Sequence, residues 1–144
     1  MRVVVQRVKS SSVKVEGKTV GCIDKGLLVL VGFTHDDNID KIKWMVNKIV
    51  NLRVFDDEEG VMNKSVSDIG GSVLSVSQFT LYADANKGNR PSYINAMKQE
   101  DASLLYDIFN EELRSKINTQ TGIFRADMQV ELINDGPITI VIEK

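Results

Sequence analysis

The chain predicts an α+β fold in a single domain, and three observations carry that reading. Several short stretches alternate apolar and polar residues at the strand period. Two longer stretches space their apolar residues as a helix does. No linker, repeat or low-complexity segment divides the 144 residues, a length that suits one domain with its own core.

Arg2 to Val8 reads as a first strand, with Val3, Val4, Val5 and Val8 around Gln6 and Arg7. Val13–Val15 and Thr19–Ile23 flank Glu16-Gly17-Lys18 as a hairpin. Gly26 opens the apolar run Leu27-Leu28-Val29-Leu30-Val31, the pattern of a strand covered on both faces. Polar His35 to Asn38 then precede Ile39, Ile42, Val46 and Ile49, which predict a helix over 38–50 capped by Asp36, Asp37 or Asn38. Asn51 to Phe55 reads as a short strand, and Asp56-Asp57-Glu58-Glu59-Gly60 as an acidic hairpin loop. Its carboxylates lack EF-hand spacing.

Gly70-Gly71 turns into Val73, Leu74 and Val76, and Phe79 and Leu81 follow. Leu74 and Val76 share a strand face that Phe79 and Leu81 do not, so a bulge or bend is expected near Ser77-Gln78. Three hydrogen-bonding side chains, Ser77, Gln78 and Thr80, crowd that break. The plainer reading is a strand with a polar face running into a turn. Ala83 to Tyr93 is a polar loop whose cations are Lys87 and Arg90: either solvated charges or a grip on phosphate. Leu105, Ile108, Phe109 and Leu113 predict a second helix over 102–116, with Asp101 as its cap. Thr121-Gly122 then leads into Met128, Val130 and Leu132. Asn134-Asp135-Gly136-Pro137 separates them from Ile138, Ile140 and Ile142, as a hairpin or as two strands with a sharper join. Only about 5–6% of X-Pro bonds in folded proteins are cis, so the default for Gly136-Pro137 is trans.

Composition narrows function by exclusion. The net charge of −2 disfavours wrapping a long nucleic-acid backbone, though not gripping one short end. No apolar run is long enough to span a membrane, and no secretory signal is visible. A lone cysteine, Cys22, fits a reducing compartment and hence the cytoplasm; its apolar surroundings predict a buried, inert thiol. His35, the only histidine, sits in an acidic loop and reads as a surface or cap residue. One cysteine and one histidine do not make a zinc site, and the phosphate-binding and H-E-x-x-H motifs are absent, so neither metal nor cofactor is expected. An enzyme built from this chain relies on hydroxyls, amides, main-chain dipoles or a group on its substrate.

Ser77-Gln78-Phe79-Thr80-Leu81 and Asn134-Asp135-Gly136-Pro137-Ile138-Thr139 closely resemble the two signature motifs of D-aminoacyl-tRNA deacylases. Val5-Gln6-Arg7-Val8, Lys87 to Ser92, and Thr121-Gly122 leading into Ala126-Asp127-Met128 resemble the same family in the same order. The resemblance implies two packed β-sheets with helices on one side, and a homodimer. It implies hydrolysis of the ester joining a D-amino acid to the 3′ end of tRNA, with glycine, including glycine mischarged on tRNA(Ala), also accepted. It implies a cis Gly136-Pro137 bond, against the default, reaching across the dimer into the partner's site. There the main-chain carbonyls would meet the substrate amino group and an L side chain would collide. Ser77, Gln78, Phe79 and Thr80 would line the pocket and do the catalytic work. Arg7 would order the site, and Lys87 and Arg90 would bind the tRNA. One departure is Arg125, where the family usually has a small residue; it would narrow the mouth or add a phosphate contact.

Two competing readings remain. A non-catalytic module binding tRNA ends or a protein partner would explain the missing acid–base side chains. A serine or threonine esterase for small molecules would need a base that this chain does not offer.

Overall fold

A computed structural model describes residues 1–144. It orders the chain as β1 (Arg2–Val15), β2 (Lys18–Ile23), β3 (Gly26–Gly32), α1 (Ile39–Val50), β4 (Phe55–Asp56), β5 (Met62–Lys64), β6 (Ser72–Ser77), α2 (Gln99–Arg114), β7 (Thr119–Thr121) and β8 (Gln129–Glu143). A 3-10 turn, Phe79–Tyr82, follows β6.

The long strand β1 organises the rest. Its first half pairs antiparallel with β3 and its second half with β2, while β8 runs along its other edge for almost the full length. β3 continues the sheet through parallel pairing to β6, and β6 to β7. Because one strand serves two neighbours in succession, the sheet bends along β1 and folds back towards itself. Gly21 of β2 marks the approach: a Cβ there would lie 2.8 Å from the Thr121 carbonyl of β7 and 3.2 Å from Leu74 of β6. A smaller cluster fills the inside of this fold, with Val8, Val13 and Ile23 facing Leu28, Leu74 and Val76. The larger core lies on the opposite face, where Val3, Val5, Leu27 and Val29 pack against Ile42, Met45, Phe109 and Leu113 of the two helices. The expected layers are therefore present: sheet on sheet, with both helices on one side. β4 and β5 form a separate two-stranded ribbon carrying the acidic loop.

Local sequence accounts for the elements. Glu16 and Gly17 both have positive φ, 49° and 75°, as a two-residue hairpin turn of the primed type requires. The β3 run has β1 on one edge, β6 on the other and apolar cover on both faces, as its uninterrupted pattern predicts. Asn38 caps α1 by accepting from Lys41 N–H at 3.1 Å. His35 is exposed and its Nε2 meets the Ile94 carbonyl at 2.7 Å, a surface latch between loops.

Three local expectations shift. The second helix begins at Gln99, and Lys98, not Asp101, is the cap residue; Glu100 and Asp101 occupy the first turn, where acidic side chains suit the helix dipole. The short strand expected over 51–55 is confined to Phe55–Asp56. Cys22 is exposed, because β2 is covered on one face only: Gly21 and Ile23 point in and Cys22 out. Near Ser77, of the two readings, the strand running into a turn holds and the bulge does not. β6 ends, the 3-10 turn begins, and the parity conflict disappears because Phe79 stays 57% exposed and does not join the core.

The C-terminal apolar runs are neither a hairpin nor two strands, but one strand with an insertion. Gln6 pairs with Thr139 and Val8 with Asn134, so two steps along β1 are matched by five along β8. The excess chain, centred on Asp135-Gly136-Pro137, bulges out of the ladder. The Gly136-Pro137 bond is cis, as the family resemblance implied and against the trans default.

Candidate functional site

The end of β6 delivers the signature stretch to a cavity of about 430 Å³. Gln78 N–H donates to the Val31 carbonyl at 2.7 Å and so extends the β3–β6 ladder by one rung. The chain then turns sharply over Gly32. A Cβ on Gly32 would stand 2.9 Å from the Gln78 carbonyl and 3.2 Å from Leu81 Cβ, so glycine permits the turn to seat against β3. Leu81 N–H closes back on the Gln78 carbonyl at 3.2 Å. The opening N–H groups of such a turn, those of Phe79 and Thr80, have no partner within it. They are the main-chain donors this segment offers, whereas that of Gln78 is already committed.

Ser77, Gln78 and Phe79 line the cavity together with Phe124, Arg125 and Met128. Most of the lining is apolar, and Arg125 is its only charged residue. Thr80 does not reach the lining. Its hydroxyl accepts from the Gln78 side-chain amide, so the two polar side chains of the motif hold each other. Phe79 tilts against Tyr93, ring centroids 5.1 Å apart, which ties the end of the polar loop to the signature turn.

Tyr106 of α2 supports this wall from behind. Its hydroxyl donates to the Ser75 carbonyl at 2.9 Å, and its ring lies 5.8 Å from that of Phe124. Burial pushes the Tyr106 hydroxyl up from the ordinary tyrosine range, so it stays a neutral donor. Tyr82, at the far end of the 3-10 turn, is pushed up to about 12, first by burial and then by the nearby Asp37 carboxylate. The Arg2 guanidinium stacks 4.9 Å from the Tyr82 ring centroid and donates to the Leu81 carbonyl at 2.6 Å.

The bulge of β8 is braced by Arg7, which is 8% exposed. Its Nε donates to the Asp135 carbonyl at 3.1 Å, and its Nη1 to the Val54 carbonyl at 2.8 Å. Both Asp135 and Asp56 carboxylates lie 3.4 Å from the guanidinium. A mostly buried cation with two carbonyls and two carboxylates around it is fixed in orientation, and it fixes the loop in turn. Gly136 has φ of 122°, a conformation L side chains rarely adopt. A Cβ there would also meet Ile138 Cγ1 at 2.9 Å and Arg7 Nη2 at 3.3 Å. Gly136 and Pro137 are exposed and do not line their own chain's cavity.

The structure thus gathers Ser77, Gln78 and Phe79 at one cavity, sets Thr80 just behind it, and joins Arg7 to Gly136-Pro137 at a separate exposed bulge. Lys87 and Arg90 lie elsewhere again, exposed on a loop closed by reciprocal Asp84–Ser92 main-chain bonds of 2.8 Å each. Sequence reading gave Met128 only as part of a family-like stretch, with no role, and did not single out Gly32, Phe124 or Tyr106. Gly32 ends an apolar run with an ordinary turn signal, and the other three look like core residues; nothing in local pattern distinguishes them.

Residues 4–143 match the family model described as D-Tyr-tRNA(Tyr) deacylase. A solved structure described as "c-Myc DNA Unwinding Element Binding Protein" is 44% identical and superposes with a TM-score of 0.95, covering 100% of this chain and 99% of that one. Another, described as a structural analysis of a probable eukaryotic D-amino acid tRNA deacylase, has a TM-score of 0.85 over 98% of this chain and 97% of that one. At 18% identity that likeness speaks for the fold alone. With the family model spanning nearly every residue, and both signature stretches set on the cavity and the braced bulge, the chain belongs to the D-Tyr-tRNA(Tyr) deacylase family and is a hydrolase of D-aminoacyl-tRNA.

Proposed function

We propose that two copies of this chain form a homodimer in which the exposed Gly136-Pro137 bulge of each copy completes the cavity of the other. The substrate is the aminoacylated 3′ end of tRNA carrying a D-amino acid, or glycine, including glycine mischarged on tRNA(Ala). Main-chain carbonyls of the partner's bulge accept hydrogen bonds from the substrate ammonium. An L side chain is directed into that bulge and rejected, so selection depends on configuration and not on side-chain identity. The Phe79 and Thr80 N–H groups polarise the ester carbonyl. Water attacks that carbonyl carbon and the bond to the ribose 3′ oxygen breaks. The vicinal 2′ hydroxyl relays the water's proton to the departing oxygen, giving a free amino acid and tRNA. Lys87 and Arg90 hold acceptor-end phosphates, and the setting is the cytoplasm.

The observation that carries this reading is the pairing of two rigid features that are incomplete apart. The cavity offers apolar walls and main-chain donors but no acid–base side chain. The bulge, braced by Arg7, offers main-chain acceptors, yet it is exposed and contributes nothing to its own chain's cavity. The lack of a general base favours substrate assistance, since a threonine hydroxyl is weak without one.

A second reading, nucleic-acid binding without turnover, gains support from the 44%-identical protein, which is named as a binder of a DNA unwinding element. One experiment separates the two. D-Tyr-tRNA, L-Tyr-tRNA and a 2′-deoxy D-Tyr-tRNA esterified at the 3′ position are incubated with the protein. Release of D-tyrosine alone, lost with the deoxy substrate while binding persists, is the expected result. Tight binding of all three with no release would favour the binding module. Normal release from the deoxy substrate would overturn substrate assistance.

A further inference from the structure

Resting on that reading of the substrate, we propose that Arg125 is a specificity-determining residue that binds the phosphate of the substrate's terminal nucleotide at the cavity mouth. Four observations meet at this residue. Arg125 lines the cavity and is the only charged residue to do so. It is exposed, and its guanidinium enters no ion pair or hydrogen bond within the chain. Its backbone sits at φ of 66°, in the left-handed region where a long side chain is disfavoured. It also follows Phe124, which Tyr106 packs from below, so the backbone that carries it is anchored. An unfavourable backbone conformation retained at a pocket rim points to a role for the side chain that occupies it.

The chemistry of the substrate decides what that role is. An aminoacylated tRNA end carries a cationic α-ammonium, a neutral ester and anionic phosphodiesters. A guanidinium repels the first and has little to offer the second. It binds the third by paired N–H donors. Arg125 therefore sets the polarity of entry: ammonium and side chain go past the rim, and the phosphate stays at it. A 3′-aminoacyl adenosine keeps the vicinal hydroxyl but lacks that phosphate, so the same residue discriminates polynucleotide esters from nucleoside esters.

The test uses Arg125→Gly, which relieves the left-handed backbone, and Arg125→Lys, which keeps the charge but loses the fork. Binding is measured over a salt series with a D-tyrosyl minihelix joined by a non-hydrolysable 3′-amide, and turnover is measured on D-Tyr-tRNA and on 3′-O-D-tyrosyl adenosine, which keeps the vicinal hydroxyl and carries no phosphate. Arg125→Gly should unfold no earlier than the parent. It should weaken minihelix binding by about three- to tenfold at low salt. The slope of log affinity against log salt should flatten by about 0.7, the value of one single-strand phosphate contact. KM for D-Tyr-tRNA should rise with kcat nearly kept, KM for 3′-O-D-tyrosyl adenosine should change little, and Arg125→Lys should recover part of the loss. An unchanged slope and affinity in Arg125→Gly, with the parent still turning over D-Tyr-tRNA, overturns this proposal and leaves the deacylase reading standing. Failure of the parent to bind the minihelix or turn over D-Tyr-tRNA overturns both.

Discussion

Thr80 is the residue that a motif reading would pick as nucleophile, and its surroundings argue otherwise. Its hydroxyl accepts from the Gln78 amide and stands off the cavity lining, and no base is at hand to take its proton. Thr80→Ala is expected to retain measurable turnover, with no acyl-enzyme trapped in the parent under rapid quench; an acyl group on Thr80 would reverse that view. Gly136 carries the opposite expectation. At φ of 122°, with Arg7 Nη2 3.3 Å from where a Cβ would be, Gly136→Ala displaces the braced loop. Fold stability should drop by only about 1–3 kcal/mol, because the bulge is at the surface. Turnover of D-Tyr-tRNA should fall close to background, read as kcat/KM, because the substrate ammonium loses its main-chain acceptors. At this scale the sequence was legible where a residue's chemistry is its message. Arg7, Gly136 and Arg125 were all visible as candidates. Which partners Arg7 would find was not visible, since Val54 and Asp135 lie 47 and 128 residues away along the chain.

Elements were legible by period and ambiguous at their joins. The β3 run and α1 have one face pattern from end to end, so they emerged close to their final bounds. The stretch after Ser77 admits two readings, a bulged or bent strand and a strand running into a polar turn, because a strand-like set of apolar residues continues through it. The structure resolves it as a 3-10 turn, since Phe79 takes a place at the cavity and leaves the core. Whether a large apolar residue goes to a core or to a pocket depends on what lies opposite, and a local window does not contain that. The turn depends on Gly32 of the neighbouring strand, whose missing side chain leaves room for the Gln78 carbonyl. Gly32→Ala should push the 79–82 turn outward. We expect a loss of about 1–3 kcal/mol in chemical denaturation, the range for overpacking, and a fall in kcat/KM larger than that of a surface alanine control. Unaltered kinetics would mean that the seating of this turn against β3 does not matter to the site. The β8 insertion was the hardest element to read. Four residues opposite Arg7 alone look like a hairpin turn in sequence, and only the continuation of β1 beneath them makes them a bulge.

At the scale of the whole molecule, charge and assembly decide how a tRNA end is handled. The chain is acidic overall, with a net charge of −2, so its grip on RNA must be local. Lys87→Ala with Arg90→Ala should flatten the salt dependence of tRNA binding by about 0.7 for each phosphate no longer neutralised, and a steep slope that ignores both changes would place the RNA on another surface. Assembly is the larger matter, because a single chain separates the bulge from the cavity that it is proposed to serve. β8 is an edge strand with Ile133 and Val141 more than half exposed along it, at 57% and 62%, on the same element as the bulge. A long edge with exposed apolar side chains invites a partner. If two-fold pairing brings each bulge to the other copy's cavity, two differently damaged chains can repair one another. Ala126→Phe fills the cavity and leaves the bulge intact, while Gly136→Ala does the reverse. Each homodimer then has two dead sites. A mixed dimer joins the intact cavity of one chain to the intact bulge of the other and has one live site. Unfolded together and refolded in equal amounts, the two variants should give about half mixed dimers, and so about a quarter of parental activity on D-Tyr-tRNA. Each variant refolded alone should give almost none. Recovery that tracks the fraction of mixed dimers, counted by tagging one chain, identifies the site as shared. No recovery in mixed dimers that demonstrably form would mean that each chain completes its own site, and the bulge would then need another purpose.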